Sequence, residues 1–490
     1  MTGLPGLILA NRAYVDHNVP PSEGAIPSPG AGGLLAALHS VIEPWAGESG
    51  TTWIGASRGT FDREWSDASG YELIETPRGP LRHRRLFFAE TTWHSHYDTV
   101  SNSFFWPLLH LSHERLPDLT EYYPRPFSPS AAEWRAYRRV NEAFAAAAFE
   151  EHLAGSCWIH DYHLALVPSI LRSRHFPGNI GFFLHTPVPD LKIAGEYLDA
   201  AGTVFFREWL EGCLGADLVG FQTRENLERF TVAAASLCGF AVVADGLRRG
   251  ERTVRTGVFP VGVDASEIDE TADVILPARF EQAFQTDLPV VVGLERCDYT
   301  KGIPERLRAI AQAHRLGARF SYLGVAAPTR QAVPAYRALD AAVQAAADEA
   351  AASAQEAGLP FRQVIESTDW PAVVSLLRRA DVVLTSSLAD GMNLVPIQAI
   401  LAQSARPRAQ RAVAFTGAHA GVADFAASRD GLIAIHPFER DEFACTLAAA
   451  VSGKQPRISD SLVAQVRKRD ARAWARTFLE SLADVPGGTR

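Results

Sequence analysis

Along this chain, short runs of Val, Ile, Leu and Phe alternate with longer segments whose apolar residues return every three or four positions. That alternation is the pattern of parallel β-strands joined by crossover helices. Two series of runs stand out. The first comprises GLILAN (6–11), TTWIGA (51–56), RRLFFAE (84–90), SCWIHD (156–161), NIGFFLH (179–185) and ADLVGFQ (216–222). The second comprises LPVVVGLE (288–295), RFSYLGV (319–325), RQVIES (362–367), ADVVLTSS (380–387), RAVAFTG (411–417) and GLIAIHP (431–437). Both predict the α/β class, as two doubly wound sheets.

The segment VFPVGVDASEI (258–268) separates the series, with a proline and a glycine where the chain would pass from one sheet to the other. The predicted domains are therefore 1–258 and 259–465. The closing stretch, LVAQVRKRDARAWARTFLESL, predicts one amphipathic helix, and residues 466–490 are expected to cross back onto the first domain. The Ala- and Glu-rich segment 340–358 predicts an exposed helix before a glycine stop. Two such sheets facing each other leave a cleft along the carboxyl ends of their strands, where ligands of this architecture bind. Residues that carry chemistry should then lie just after strands.

Composition narrows the partners. With 490 residues, two domains are the default. A net charge of -9 gives no electrostatic reason to expect nucleic acid or an anionic membrane. The cysteines, Cys157, Cys213, Cys238, Cys297 and Cys445, are odd in number and form no C-x-x-C pair. Neither a disulfide framework nor a zinc site is suggested, and a reducing cytoplasm fits best. The start, MTGLPGLILANR, lacks a basic region before its apolar run, and no apolar segment reaches the length of a membrane span. A soluble protein is expected.

Candidate chemistry does follow the apolar runs. In VVVGLERCDYTKGIPERLRAI (290–310), Arg296 and Lys301 come after a strand, and Gly302 and Pro304 open a helix. Two cations at a helix N-terminus suit an anion such as a diphosphate, the alternative being a pair of solvated surface charges. SSLADGMNLVPIQAI (386–400) passes through Asp390 and Gly391 into an apolar helix that carries one polar residue, Gln398. WIHDYHLALVPSIL (158–171) sets His160, Asp161 and His163 at a strand end; without an i, i+4 histidine pair or a third histidine, a metal site is not expected. GFFLHTPVPD (181–190) ends a strand on His185, a structural residue or, in the expected cleft, a catalytic one. Arg12 follows the first strand, and Gly32 and Gly33 precede a helix, where backbone N–H groups could meet a ligand. Tyr97 and Trp106 are core aromatics or walls of a sugar site.

Taken in order, these segments resemble the trehalose-6-phosphate synthase family of retaining glycosyltransferases, glycosyltransferase family 20. The likeness runs from NR (11–12) through AGGL (31–34), HDYHL (160–164), FFLHTPVP (182–189), GFQT (220–223), FPVGVD (259–264), ERCDYTKGIPERL (295–307), APTR (327–330) and DGMNLV (390–395) to HPFERDEF (436–443). The resemblance implies a GT-B fold of two Rossmann-like domains and a nucleotide-diphosphate glucose donor in the second. It implies no metal and no cofactor. Arg296 and Lys301 would neutralise the donor diphosphate, Asp390 would hold sugar hydroxyls, and His185 would contact the donor sugar. Gly32, Gly33, Gly391, Met392, Asn393, Leu394, Val395 and Gln398 would complete the donor side. Arg12, Tyr97, Trp106, Asp161 and Arg330 would line the pocket of a phosphorylated acceptor, most simply glucose 6-phosphate.

The chain departs from the family pattern in places. Gln398 stands where the family carries a glutamate that holds the donor ribose, which removes a charge-assisted bond. APTR is one residue shorter than the usual Ala-Pro-Thr-Ser-Arg, which bears on the reach of Arg330. The loop from Arg12 to Gly32 and the segment after His185 look longer than usual. These differences leave room for another acceptor, as in relatives that make glucosylglycerol phosphate or join pseudo-sugars. A catalytically silent homologue is disfavoured because Arg296, Lys301 and Asp390 are all present, and a dehydrogenase because no G-x-G-x-x-G follows the first strand. The expected partners are small-molecule substrates, with no nucleic acid and no membrane; a homo-oligomer is left open.

Overall fold

A computed structural model describes residues 6–23, 37–38, 41–42, 50–76, 79–113, 115–116, 121–124, 128–151, 155–425 and 430–485. The chain divides into two compact units. The first is Met1–Leu109, Pro126–Val261 and Ala471–Arg490, and the second is His110–Arg125 and Gly262–Asp470.

The first unit is built on a ten-stranded sheet of order β3-β4-β2-β1-β5-β6-β7-β10-β9-β8. Its strands are β1 Leu7–Arg12, β2 Thr52–Ala56, β3 Tyr71–Thr76, β4 Gly79–Leu86, β5 Cys157–His160, β6 Ile180–Phe183, β7 Leu218–Phe221, β8 Ala241–Val243, β9 Gly246–Arg249 and β10 Arg252–Val258. From β4 to β10 the neighbours are parallel, and β1, β2, β5, β6 and β7 are almost entirely buried, as their continuous apolar runs require. Strand order reverses direction between β1 and β5, which makes a switch point there. Helix Ala471–Ala483 packs Trp474 and Phe478 against Trp158 of β5 and Phe183 of β6, with ring centroids 5.0–5.6 Å apart.

The second unit holds six strands, all parallel, in the order β13-β12-β11-β14-β15-β16. They are β11 Val290–Arg296, β12 Ser321–Ala327, β13 Phe361–Ile365, β14 Val382–Leu384, β15 Val413–Gly417 and β16 Leu432–Ile435. Counted within the unit this is the Rossmann order, 3-2-1-4-5-6, two further strands on one side of the first and three on the other, with the switch point between β11 and β14.

Every run read as a strand contains or overlaps one. The antiparallel additions β3, β8 and β9 were not anticipated: they are short, and β3 and β8 bury little, so no apolar run marks them. The C-terminal stretch corrects another expectation. It forms two helices, Asp460–Lys468 and Ala471–Ala483, broken at Arg469 and Asp470 where the chain leaves the second unit for the first. Gly262 runs against that break so closely that a Cβ there would lie 1.8 Å from the Arg469 carbonyl oxygen. Nor is 340–358 simply exposed: it lies in helix Pro334–Glu356, which buries Leu339, Val343, Ala346 and Ala350 along one face and packs on helix Ile303–Arg315. Among the described residues no helix is long and apolar enough to cross a membrane.

Candidate active site

In the second unit the charged groups gather at the switch point. β11 delivers Arg296 at its last position, and the chain turns through Tyr299–Lys301, capped by Asp298. Gly302 then opens helix Ile303–Arg315, with Pro304 in the first turn. At a φ of 60° a side chain on residue 302 would be strained, and its Cβ would lie 2.4 Å from the Ser386 carbonyl oxygen. Glycine therefore lets the loop after β14 lie against this turn. Ser386 Oγ donates to the carbonyls of Lys301 and Gly302, each at 3.0 Å, and Leu388 N–H donates to Thr300 O at 2.7 Å. So stitched, the two loops bring Lys301 Nζ onto Asp390 Oδ2 as a hydrogen-bonded ion pair.

The rest of the turn is organised around that pair. Ser387 Oγ donates to Asp390 Oδ2 at 3.1 Å, and Asn393 Nδ2 donates to Ser387 Oγ at 2.9 Å. Asn393 sits at a φ of 61°, and its Oδ1 caps helix Leu394–Ala402 by accepting from Val395 N–H at 3.2 Å. The N–H groups of Gly391, Met392, Asn393 and Leu394 make no hydrogen bond among the described residues, at a helix end that favours negative charge. Gln398 lies one turn along the same helix face as Leu394 and Val395, half-buried.

Burial alone would raise the Asp390 carboxyl, but the Lys301 ammonium, with smaller contributions from His110 and Arg296, holds it below its ordinary value. It stays ionised, able to accept hydroxyl donors. Behind it Glu295 and Arg306 form a buried pair, Arg306 Nη1 also donating to Leu384 O at 3.0 Å. Arg330, expected on the acceptor side, has Nη1 3.0 Å from Asp298 Oδ2 and 2.9 Å from the Tyr336 hydroxyl. Burial would raise the Asp298 carboxyl, yet Arg330, Arg296, the Thr300 N–H and the Tyr336 hydroxyl together hold it well below the usual carboxylate range. The Arg330 guanidinium is thus tied to the turn that carries Lys301.

In the first unit Arg12 ends β1, Asp161 follows β5 and His185 follows β6, so these residues flank the other switch point. Arg12 is partly exposed and pairs with Asp16 at 3.3 Å. Asp161 adopts a φ of 72°, and its Oδ1 accepts the His185 main-chain N–H at 3.2 Å. Tyr97 lies in Ser95–Phe105, wound as a π-helix, stacked between Trp93 at 5.5 Å and His163 at 5.7 Å. The next-door ring of His96 meets Asn11 Oδ1 at 2.9 Å, which ties this segment to the end of β1. Trp106 is buried, with its ring 5.9 Å from that of Tyr162. Of the two further histidines weighed for a metal, His160 pairs with His185 and His163 joins the Tyr97 stack. Gly32 and Gly33 lie outside the described residues.

Sequence reasoning missed Asp298, Tyr336, Ser387, Gln222 and His110. Asp298 had a usable signal, an Asp directly before a helical turn. Tyr336 had none, since its bond to Asp298 spans 38 positions.

The architecture recurs in solved structures. The Escherichia coli trehalose-6-phosphate protein solved with UDP-2-fluoro glucose superposes with a TM-score of 0.78 at 25% identity, covering 98% of this chain and 99% of that one. A Burkholderia xenovorans UDP-forming α,α-trehalose-phosphate synthase, solved with glucose-6-phosphate, gives 0.79 at 24% identity over 97% and 99%. Fold and site together define a glycosyltransferase of the GT-B class. Among curated relatives, the UDP-forming α,α-trehalose-phosphate synthase of Schizosaccharomyces pombe is 30% identical over 448 residues, 86% of this chain and 82% of its own. That of Aspergillus fumigatus numbered 1 is 31% identical over 404 residues, 79% and 74% of the two chains. The model of glycosyltransferase family 20 matches residues 23–484, and the chain belongs to that family.

Proposed function

We propose that this chain is a retaining, metal-independent glucosyltransferase that transfers glucose from UDP-glucose to glucose 6-phosphate, giving trehalose 6-phosphate. The observation that carries this is the Lys301–Asp390 pair, in the field of Arg296, at the switch point between β11 and β14. Transfer breaks the bond from the anomeric carbon to the diphosphate, and negative charge develops on the leaving group. Arg296 and Lys301 receive that charge from fixed positions, which stabilises the transition state without a metal ion. Asp390, held ionised, accepts from sugar hydroxyls. The acceptor hydroxyl oxygen forms the new bond on the face the diphosphate leaves, and its proton passes to a leaving phosphate oxygen. That route needs no carboxylate nucleophile, and it agrees with Asp390 being engaged by Lys301. The uridine of the donor is supported by the UDP-forming names of the relatives. Cys157, Cys213, Cys238 and Cys297 are buried free thiols, in keeping with a reducing cytoplasm.

The test is product analysis of the purified protein with UDP-, ADP- and GDP-glucose and glucose 6-phosphate, with and without EDTA. The expected product is trehalose 6-phosphate of retained α-configuration from UDP-glucose, at a rate that EDTA leaves unchanged. A second reading, transfer to a different phosphorylated acceptor, is favoured by the engagement of Arg330 with Asp298 and Tyr336. Turnover with another sugar or polyol phosphate, and none with glucose 6-phosphate, would select it.

A further inference from the structure

We propose that Gln222 and His160 are positioning residues that lock the His185 ring in a single neutral tautomer, with its proton on Nε2. The assignment follows from one group that can only donate. Val261 N–H meets Gln222 Oε1 at 2.9 Å, which identifies that end of the amide as the carbonyl. The other end, Nε2, is therefore the donor, and it lies 3.3 Å from His185 Nδ1. His185 Nδ1 must accept, so its ring proton is on Nε2. That nitrogen lies 3.1 Å from His160 Nδ1, which must accept in turn. Reversing any link sets two donors or two lone pairs against each other.

Packing holds the ring where the hydrogen bonds leave it. Phe183 lies at 4.6 Å and Trp474, from helix Ala471–Ala483, at 5.8 Å edge-on. The ionisable groups that face it are His160 from the end of β5 and Asp161, whose carboxylate takes the His185 main-chain N–H. Burial pushes the His185 imidazole down to about 3 and drives His160 well below its ordinary value as well. With both nitrogens engaged inside the protein, His185 neither gives nor takes a proton during transfer. It presents a fixed, neutral ring at the carboxyl end of β6. The significance of that ring for turnover rests on the proposed glucosyl transfer and on the donor-sugar contact that the family resemblance implies for His185.

The chain of hydrogen bonds can be read directly by histidine-selective ¹⁵N NMR of the full-length protein, with His185→Asn used to assign its signals. The expected result is an Nε2-protonated, Nδ1-unprotonated His185 that does not titrate between pH 5 and 8. Gln222→Glu, nearly isosteric, replaces the amide donor with a carboxylate and should move the proton to Nδ1. It should also lower kcat by at least about tenfold, because a ring turned away from its fixed position beside the donor sugar misplaces the reacting groups, with the melting temperature little changed. Gln222→Met, which can supply no hydrogen bond, should leave a mixture of tautomers. An Nδ1-protonated His185 in the unsubstituted protein, a titration near the ordinary value, or a tautomer that ignores Gln222→Glu would each overturn the proposal. A tautomer that moves while turnover holds would uphold the chain of bonds and overturn the donor-sugar role of His185 instead.

Discussion

Arg330 Nη1 lies 3.0 Å from Asp298 Oδ2, and the Tyr336 hydroxyl donates to the same oxygen at 2.8 Å. These three residues fasten the loop after β12 to the turn that carries Lys301. Arg330→Ala would leave a buried carboxylate short of its nearest cation, at a cost of about 3 kcal/mol. The melting temperature should fall, and kcat should fall with it because the Lys301 turn loosens. Were Arg330 only a binder of an acceptor phosphate, its loss would raise the acceptor KM and leave the melting temperature alone.

Lys301 and Arg296 are expected to act on the leaving diphosphate. Lys301→Ala and Arg296→Ala should each lower turnover by roughly a hundredfold or more, measured as UDP release under saturating substrates. In Lys301→Ala the Asp390 carboxyl should also rise, because burial then acts without its nearest cation. Unaltered rates in both variants would remove the pair from the mechanism.

Gln398 offers the cheapest probe of the donor half. Gln398→Glu replaces a neutral acceptor with a charged one on the helix face that also carries Leu394 and Val395. If that face meets ribose hydroxyls, UDP should bind tighter by about 1 kcal/mol, roughly fivefold. Calorimetric titration of UDP into both proteins checks this, and loss of activity in the variant would show that the donor is arranged otherwise.

Acid sensitivity should set in early. Burial lowers His83 to about 4, His96 to about 3, His185 to about 3 and His314 to about 4, all from 6.5. Below 6.5 the unfolded chain takes up protons at these positions and the folded protein does not, so stability is full above 6.5 and falls as pH drops towards 4 and 3. Glu72 joins later. Burial would raise it, but bonds from His83 and Arg85 hold it at about 2, so its contribution is lost only as pH falls from 4.5 towards 2. The urea midpoint should therefore be level near pH 7 to 8 and decline already between pH 6.5 and 5. A flat profile over that interval would contradict the buried neutral histidines.

What the sequence disclosed and what it hid divide along physical lines. Buried parallel strands announce themselves as apolar runs, and residues that follow such runs reach the carboxyl edge by construction; Arg12, Asp161, His185, Arg296 and Asp390 were legible for that reason. The edge strand β3, with Leu73 exposed and Glu72 turned to Arg85, carries no such run. The partners of the site residues were hidden because they are set by folding rather than by spacing. Nothing near Asp298 points to Arg330 or Tyr336, and nothing near His185 points to Gln222. The break at Arg469 and Asp470 was invisible because the helical periodicity runs through it unaltered. In the fold, Gly262 lies directly against the break, a neighbour that no local pattern announces.

The chain passes between its two units four times, after Leu109, Arg125, Val261 and Asp470. A ribosome making it would finish every strand of the first sheet long before the helix that supplies Trp474 and Phe478 exists. At about 5–20 residues per second, the Phe183 and Trp158 faces wait on the order of ten seconds or more for that cover. Cutting the gene after residue 258 would therefore release a half-protein with a bare apolar sheet and an orphaned stretch, 110–125, that belongs to the other half. The first unit is begun first and completed last.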